Sequence, residues 1–319
     1  MLKPLLALLL LLSCVTPAAG FAWPDKPLRV IVAFPPGGMI DVFARIFQAR
    51  LVQGLGQPVV IDNRPGAGGT LAEALVAKSE PDGYTMLLSA DSPPANAHLY
   101  RRLDYELFRD LEPVSLLVRM PLVLVVHPTI PAESLADLVA HARSRSTPLS
   151  YATTGSGTSN HVSMEVLKRL AGIDMTHVPY KGGPQVINDL VGGQVNSSLI
   201  ALMLAAPHVR SGKMRAIALT GENRSPLLPE VQTFAQAGFP NFPPGQWCGL
   251  WLRSGTPLAL TQRIHNEFAK AVRAPDAQGR LLELGAETVV SEPKEFASFV
   301  RAEHVRIGAV VREHRIVAD

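Results

Sequence analysis

The stretch Arg29–Asp41, RVIVAFPPGGMID, combines three features that predict local structure. An apolar run leads into Pro35-Pro36-Gly37-Gly38, and a segment with helical spacing follows Asp41. In that segment the apolar residues recur on one face of a helix: Val42, Phe43, Ile46, Phe47 and Leu51. The stretch therefore predicts a buried strand, a tight glycine turn and the start of a helix.

This turn has the properties of an anion-binding site. Gly37 and Gly38 let backbone N–H groups approach a ligand with no side chain in the way. A helix start adds unpaired N–H donors and a partial positive charge. Two alternatives stay open: the turn binds nothing, or Asp41 is only a first-turn acid favoured by the helix dipole.

A second copy of the pattern follows later in the chain. Leu149–Thr153 is a predicted strand, and Thr154–His161 is a glycine turn that opens another helix. Thr158 and Ser159 are suitable residues for the N-cap of that helix. The repetition favours ligand binding at both turns over a simple change of chain direction.

Strands alternate with helices along most of the chain, which indicates an α/β protein with mostly parallel sheets. Two such units predict two lobes that face each other across a cleft. Ligands of open α/β sheets bind beyond the carboxyl ends of the strands, where both glycine turns are expected. The segments Val114–His127 and Trp247–Leu252 are the expected crossings between the lobes.

The N-terminal residues predict export. Residues 1–22 have the pattern of a signal peptide: Lys3, the apolar run Leu5–Leu12 and the site Gly20-Phe21-Ala22. The apolar run is too short to span a bilayer. An approximate lipobox before Cys14 is the alternative, in which Cys14 carries a lipid. Without Cys14, Cys248 has no partner, so the fold is expected to lack an internal disulfide.

Charge and motifs exclude several classes of function. The formal net charge of +3 and the lack of basic runs argue against nucleic-acid binding. The sequence contains no G-x-S-x-G elbow, no zinc-type histidine spacing and no Walker A sequence. We therefore predict binding without turnover, with no catalytic residue, metal or cofactor; an exported α/β hydrolase is a distant alternative.

The same residues carry a resemblance to a known family. The matching motifs span the chain in order: Trp23-Pro24-x-Lys26-Pro27, Arg29–Val32, the Pro-Gly-Gly-x-x-Asp string ending at Asp41, Asn63–Gly69, Pro81–Thr85, Gly155–Ser159 with His161, His177–Gly182, Gly192–Val195 and Gly212-Lys213. This pattern resembles the Bug-type extracytoplasmic solute receptors, the substrate-binding proteins of tripartite tricarboxylate transporters.

The resemblance implies a periplasmic binding protein of the type II Venus-flytrap kind that closes over a small carboxylate. It implies a first lobe over residues 23–123 and 246–319 and a second over 124–245. The implied ligand contacts are Phe34, Pro36, Gly37, Gly38, Ile40, Asp41, Ser89, Ala90, Thr154, Gly155, Ser156, Gly157, Thr158, Ser159, His161, Lys181, Gly182 and Ile200. The implied partner of the receptor is a membrane permease; a sensor kinase that reads the closed form is the alternative. Our own default expectation for the receptor is a monomer.

Three positions depart from the family pattern. Ile40, after Met39, stands where the family often has Ser or Thr, Ile200 where it usually has a polar residue, and Asn196 where Asp is common. If these side chains line the cleft, the pocket has lost polar partners and gained apolar wall. That predicts a monocarboxylate, or a carboxylate with an aromatic or aliphatic body, rather than citrate. The alternative is that they are packing positions without influence on the ligand.

Overall fold

The computed structural model describes residues 23–314 and 316. The predicted signal peptide, with Cys14, lies outside these residues. The described strands are β1 Leu28–Val32, β2 Val59–Asn63, β3 Thr85–Ser89, β4 Leu111–Met120, β5 Leu122–Val126, β6 Leu149–Thr153, β7 Met175–Pro179, β8 Ser197–Ala201, β9 Arg215–Leu219, β10 Gln246–Arg253 and β11 Glu287–Thr288.

The helices follow the predicted alternation with the strands. In chain order they are α1 Met39–Leu55, α2 Thr70–Ala77, α3 Ser92–Leu99, α4 Leu107–Asp110, α5 Leu135–Ser144, α6 Ser159–Ala171, α7 Gly183–Val191, α8 Leu202–Arg210, α9 Leu258–Arg273, α10 Pro275–Glu283 and α11 Pro293–His314. None of the helices within residues 23–314 is long and apolar enough to cross a membrane.

The strands form two mixed sheets, one for each lobe. The first has the order β11-β4-β10-β3-β1-β2, and the second has the order β7-β6-β8-β5-β9. In the first sheet β1 is parallel to β2 and β3, while β10 runs antiparallel between β3 and β4. In the second sheet β6 is parallel to β7 and β8, and β5 is antiparallel to both of its neighbours. The α/β class and the two-lobed fold are confirmed.

The chain crosses between the sheets twice. The first crossing is at Pro121, between β4 and β5, and the second lies between the end of β9 at Leu219 and the start of β10 at Gln246. All five residues of β5 are buried, as is typical of a strand inside a sheet that is covered on both faces. The lobe boundaries themselves stay a prediction.

The sequence of Ala90–Asn96, with its two adjacent prolines, predicts a loop before a short helix near Leu99, and the segment after β3 differs from this prediction. It is helical from Ser92, with prolines in the first turn. Proline is compatible with that turn, because the N–H groups there have no acceptor within the helix. The loop prediction was wrong because two adjacent prolines fit both a loop and a first helical turn, and the local sequence does not decide between the two.

Most buried apolar residues form one large core, and a small separate group joins the lobes. We call this group the interlobe cluster. It contains Ala95 and Leu99 of α3, Val162 of α6, Ile307 and Val311 of α11, and Ile316. The C-terminal helix therefore packs on the first lobe and also reaches the second. Cys248 is a buried free thiol, as expected from its lack of a partner.

Candidate ligand-binding site

The two lobes enclose a chamber at the carboxyl ends of several strands. Its volume is about 350 Å³ including the opening to solvent. The first lobe contributes Phe34, Gly38, Met39, Ile40 and Ala90, the second contributes Thr154, Gly183, Ile200, Ala201 and Leu204, and Gln246 lies at the second crossing. We call this the first chamber. Among these described residues none has a charged side chain, and most are apolar.

Helix starts from both lobes line the first chamber. Gly38, Met39 and Ile40 belong to the start of α1, Gly183 opens α7, and Ala201 is the N-cap residue of α8. The N–H groups of a first helical turn have no acceptor within the helix, and the helix dipole adds positive potential there. An uncharged, apolar chamber is thus surrounded by backbone groups that favour an anion.

A second chamber adjoins the first and shares Phe34 and Thr154 with it. Its volume is about 590 Å³ including open solvent. Its wall is formed by backbone-rich turns and a few polar side chains: Ala33, Phe34, Gly66, Ala67, Gly68, Gly69, Tyr100, Thr154, Gly155, Ser156, Pro179, Tyr180 and Lys181. The cleft therefore combines an apolar compartment with a more open one that contains a cationic side chain.

Glycines allow the two lobes to approach closely at this cleft. A Cβ atom on Gly182 would overlap the ring of Pro35 in the other lobe, and one on Gly68 would lie 2.7 Å from the carbonyl oxygen of Ser156. Such separations do not occur between real side chains and their neighbours. The lobes are therefore in contact, and these positions require glycine for that contact.

Asp41 stabilises the first glycine turn and does not line either chamber. Its Oδ2 accepts hydrogen bonds from Gly37 N at 2.8 Å and Arg45 Nε at 3.0 Å, and its Oδ1 accepts one from Asn63 Nδ2 at 3.0 Å. Burial alone would raise the pKa of Asp41, but the bonds from Arg45, Gly37 and Asn63 hold it below its usual value. The carboxylate is thus ionised, and its hydrogen bonds go to residues of the turn and its neighbours rather than to a ligand.

His161 has a similar supporting position in the second turn. Its Nδ1 accepts a hydrogen bond from Gly157 N at 3.1 Å, and its ring stacks on His177 at 3.9 Å between centroids. Burial, with a smaller contribution from His177, lowers the pKa of His161 to about 3. The imidazole is therefore neutral at physiological pH and does not offer a positive charge to an anion.

The structure brings part of the predicted set together in the chambers. The predicted contacts that line a chamber are Phe34, Gly38, Ile40, Ala90, Thr154, Gly155, Ser156, Lys181 and Ile200. The others lie just behind or beside the walls: Pro36, Gly37, Asp41, Ser89, Gly157, Thr158, Ser159, His161 and Gly182. Thr158, for example, donates to the carbonyl oxygen of Gly155 at 2.7 Å and so shapes the turn.

Several wall residues were not among the predicted contacts, including Gly66–Gly69, Tyr100, Leu204 and Gln246. The glycine loop had a signal, since Asn63–Gly69 is one of the motifs quoted above. Leu204 and Gln246 had none, because only the tertiary fold brings α8 and the second crossing to the chamber. Asn196 does not reach the chambers: its Oδ1 accepts hydrogen bonds from Ser150 N at 2.8 Å and Ser150 Oγ at 3.1 Å.

Comparisons with known proteins agree with this architecture. Two lobes with a cleft lined by helix starts define the class of periplasmic binding proteins, and solved structures of that class are similar to this chain. BugD has a TM-score of 0.88 and 28% identity, covering 93% of this chain and 100% of its own. A Rhodopseudomonas palustris protein, MatC with bound malate, has a TM-score of 0.86 and 33% identity, covering 91% and 100%.

A third structure, of R. palustris Rpa4515 with adipate, has a TM-score of 0.88 and 33% identity, covering 92% of this chain and 99% of that one. Among sequences, Protein BugT of Bordetella pertussis is 34% identical over 93% of this chain and 92% of its own length. Residues 43–316 match the family described as the tripartite tricarboxylate transporter family receptor. The chain belongs to this family, whose members are substrate-binding proteins.

Proposed function

We propose that this receptor binds a small carboxylate in the first chamber and delivers it to the membrane permease of a tripartite transporter. The observation that carries the proposal is the convergence of helix starts from both lobes on one uncharged chamber. Apart from Leu202 N, which donates to the carbonyl oxygen of Pro121 at 3.0 Å, the first-turn N–H groups of these helices suit a carboxylate, and contacts to both lobes favour the closed form. The carboxylates malate and adipate in similar structures support the same ligand class.

The wall chemistry favours a ligand with an apolar body. Ile40 and Ile200, where the family pattern has polar residues, both line the first chamber and are each 1% exposed. Phe34 and Leu204 add further apolar wall. A ligand with several carboxylates would leave charged groups against this wall without partners, which costs free energy. We therefore propose a monocarboxylate with an aliphatic or aromatic body rather than citrate.

We propose that the receptor is exported to the periplasm, acts as a monomer and has no catalytic step. A permease is the proposed partner, and presentation of the closed form to a sensor kinase is the alternative. Permease genes beside the receptor gene, or a kinase gene in their place, distinguish the two.

A thermal-shift panel tests the proposed ligand class, because a ligand that binds only the folded state raises the melting temperature. We expect hexanoate and phenylacetate to stabilise the protein more than citrate does. Ile40→Ser should reduce that stabilisation, whereas Val52→Ser, at a position 39% exposed on the same helix, should not. Strong stabilisation by citrate and none by the apolar acids would overturn the proposal.

A further inference from the structure

Gln246 is a polar residue in an otherwise apolar part of the first chamber. It is the first residue of β10, at the second crossing, and its backbone pairs with Met120 of β4. This pairing places the main chain of Gln246 beside the first crossing at Pro121. The residue is 7% exposed, so the protein covers nearly all of its surface.

The amide of Gln246 has no hydrogen-bond partner among the described residues, although a glutamine amide has two donor hydrogens and an acceptor oxygen. Several side-chain atoms of the described residues are fully buried without a hydrogen-bond partner, and the two amide atoms of Gln246 are not among them. Both amide atoms therefore keep some accessible surface. Buried side-chain amides are normally hydrogen-bonded. Because Gln246 lines the first chamber, we infer that the free hydrogen-bonding capacity of its amide faces that chamber.

The other wall residues of the first chamber offer the amide of Gln246 few hydrogen-bond partners. Thr154, the other polar side chain in the wall, directs its hydroxyl to Asn160 Oδ1 at 3.3 Å. The remaining wall residues are apolar or glycine. The helix starts that suit a carboxylate belong to α1, α7 and α8, whereas Gln246 comes from β10, so the two recognition elements are separate.

We propose that Gln246 is a specificity-determining residue that hydrogen-bonds an uncharged polar group on the ligand, at a position separate from its carboxylate. This inference rests on the proposed function and names a narrower ligand class: hydroxylated aliphatic or aromatic monocarboxylates. A neutral amide both donates to and accepts from a hydroxyl group. It supplies no charge to balance a second carboxylate, which would remain in an uncharged wall.

Calorimetric titration with matched ligand pairs tests this role. The pairs are hexanoate with 6-hydroxyhexanoate and phenylacetate with 4-hydroxyphenylacetate, and adipate serves as the doubly charged comparison. In the wild-type protein we expect at least one hydroxylated acid to bind about tenfold more tightly than its unsubstituted partner, the effect of one net hydrogen bond. Adipate should bind more weakly than 6-hydroxyhexanoate.

Variants separate the amide from other causes of that preference. Gln246→Leu should abolish the hydroxyl preference while the unsubstituted acids bind at least as tightly as before. Gln246→Met, which keeps an unbranched side chain, should behave in the same way if the leucine variant fails to fold. Gln232→Leu changes an exposed glutamine outside the first chamber and should leave the preference intact.

The possible results distinguish this inference from the proposed function. Equal affinities within both pairs in the wild-type protein, or a hydroxyl preference that persists in Gln246→Leu and Gln246→Met, would overturn the role of Gln246 and leave the carboxylate receptor standing. Failure of every acid in the series to bind the wild-type protein would overturn both.

Discussion

Asp91 is a buried carboxyl group between the lobes. It is the N-cap residue of α3, 3% exposed, and close to Ser159 at the start of α6. Burial raises the pKa of Asp91 to about 7; Ser159 and Arg306 oppose this effect and Glu303 adds to it. The group therefore exchanges its proton within the physiological pH range, unlike an ordinary aspartate.

The raised pKa of Asp91 predicts a pH-dependent stability. The folded protein holds the proton of Asp91 more tightly than the unfolded chain does, so this proton adds to the free energy of unfolding. The added stability is complete below the usual aspartate pKa and is lost as the pH rises through about 7. His161 acts with the opposite sign, because its lowered pKa costs stability as the pH falls. The comparison with Asp91→Asn isolates Asp91, since the asparagine cannot ionise.

We expect Asp91→Asn to gain stability relative to the wild-type protein by about 3 kcal/mol between pH 5 and pH 8. Urea unfolding at the two pH values, without ligand, measures this difference. A difference between the two proteins that does not change with pH would contradict an elevated pKa at Asp91.

Individual residues show how far the sequence determines the site. The spacing of Pro35–Gly38 before an amphipathic segment was enough to predict an anion-binding turn. It was not enough to decide whether Asp41 contacts the ligand or only stabilises the start of the helix. The contacts of its carboxylate with Gly37, Arg45 and Asn63 favour stabilisation of the turn. Gln246 had no local signal, because its position in the wall depends on the pairing of β10 with β4.

At the scale of elements, α11 connects the lobes. It packs on α3 and β4 of the first lobe and also contacts α6 of the second. Near its C-terminal end, Glu313 pairs with Arg169 of α6 at 3.3 Å, an exposed ion pair of small expected value. The interlobe cluster, with Ile307 and Val311, adds an apolar contact between the lobes.

We expect Val162→Ala to weaken ligand binding, because Val162 is the member of the interlobe cluster that comes from the second lobe. Removal of its buried methyl groups should destabilise the closed form relative to the open form by about 1–2 kcal/mol. That change corresponds to roughly a five- to thirtyfold loss of affinity. Calorimetric titration with the best carboxylate of the panel measures the change.

Val166→Ala is the matched control for this prediction. Val166 lies on the same helix but packs against the main core. This variant should lower the melting temperature and leave the affinity nearly unchanged. An affinity loss of the same size in both variants would show that the interlobe cluster has no particular part in closure.

The order of the elements was largely predictable, and their ends were less so. Apolar runs such as Leu122–Val126 and the glycine turns mark most strands and helix starts. The start of α3 was placed too late, because Pro93 and Pro94 are compatible with two structures, a loop or a first helical turn, and tertiary packing selects the second. The interlobe cluster was not predictable, because its members are distant in sequence and share no local pattern.

In the molecule as a whole, the proposed function requires the two lobes to close over the ligand. Gly182 tests this requirement because its backbone is extended, with φ 168° and ψ 174°, so alanine adds no backbone strain there. The added Cβ would overlap Pro35 of the first lobe. Gly279→Ala is the control, since a Cβ at this position in α10 meets no atom within 4 Å.

Small-angle X-ray scattering with and without the best carboxylate of the thermal-shift panel measures closure directly. We expect the ligand to reduce the radius of gyration of the wild-type protein and of Gly279→Ala. Gly182→Ala should keep the larger radius and bind the ligand more weakly, because the lobes cannot approach each other fully. Equal binding to the wild-type protein and Gly182→Ala, with no change of radius in either, would contradict capture by closure of the lobes.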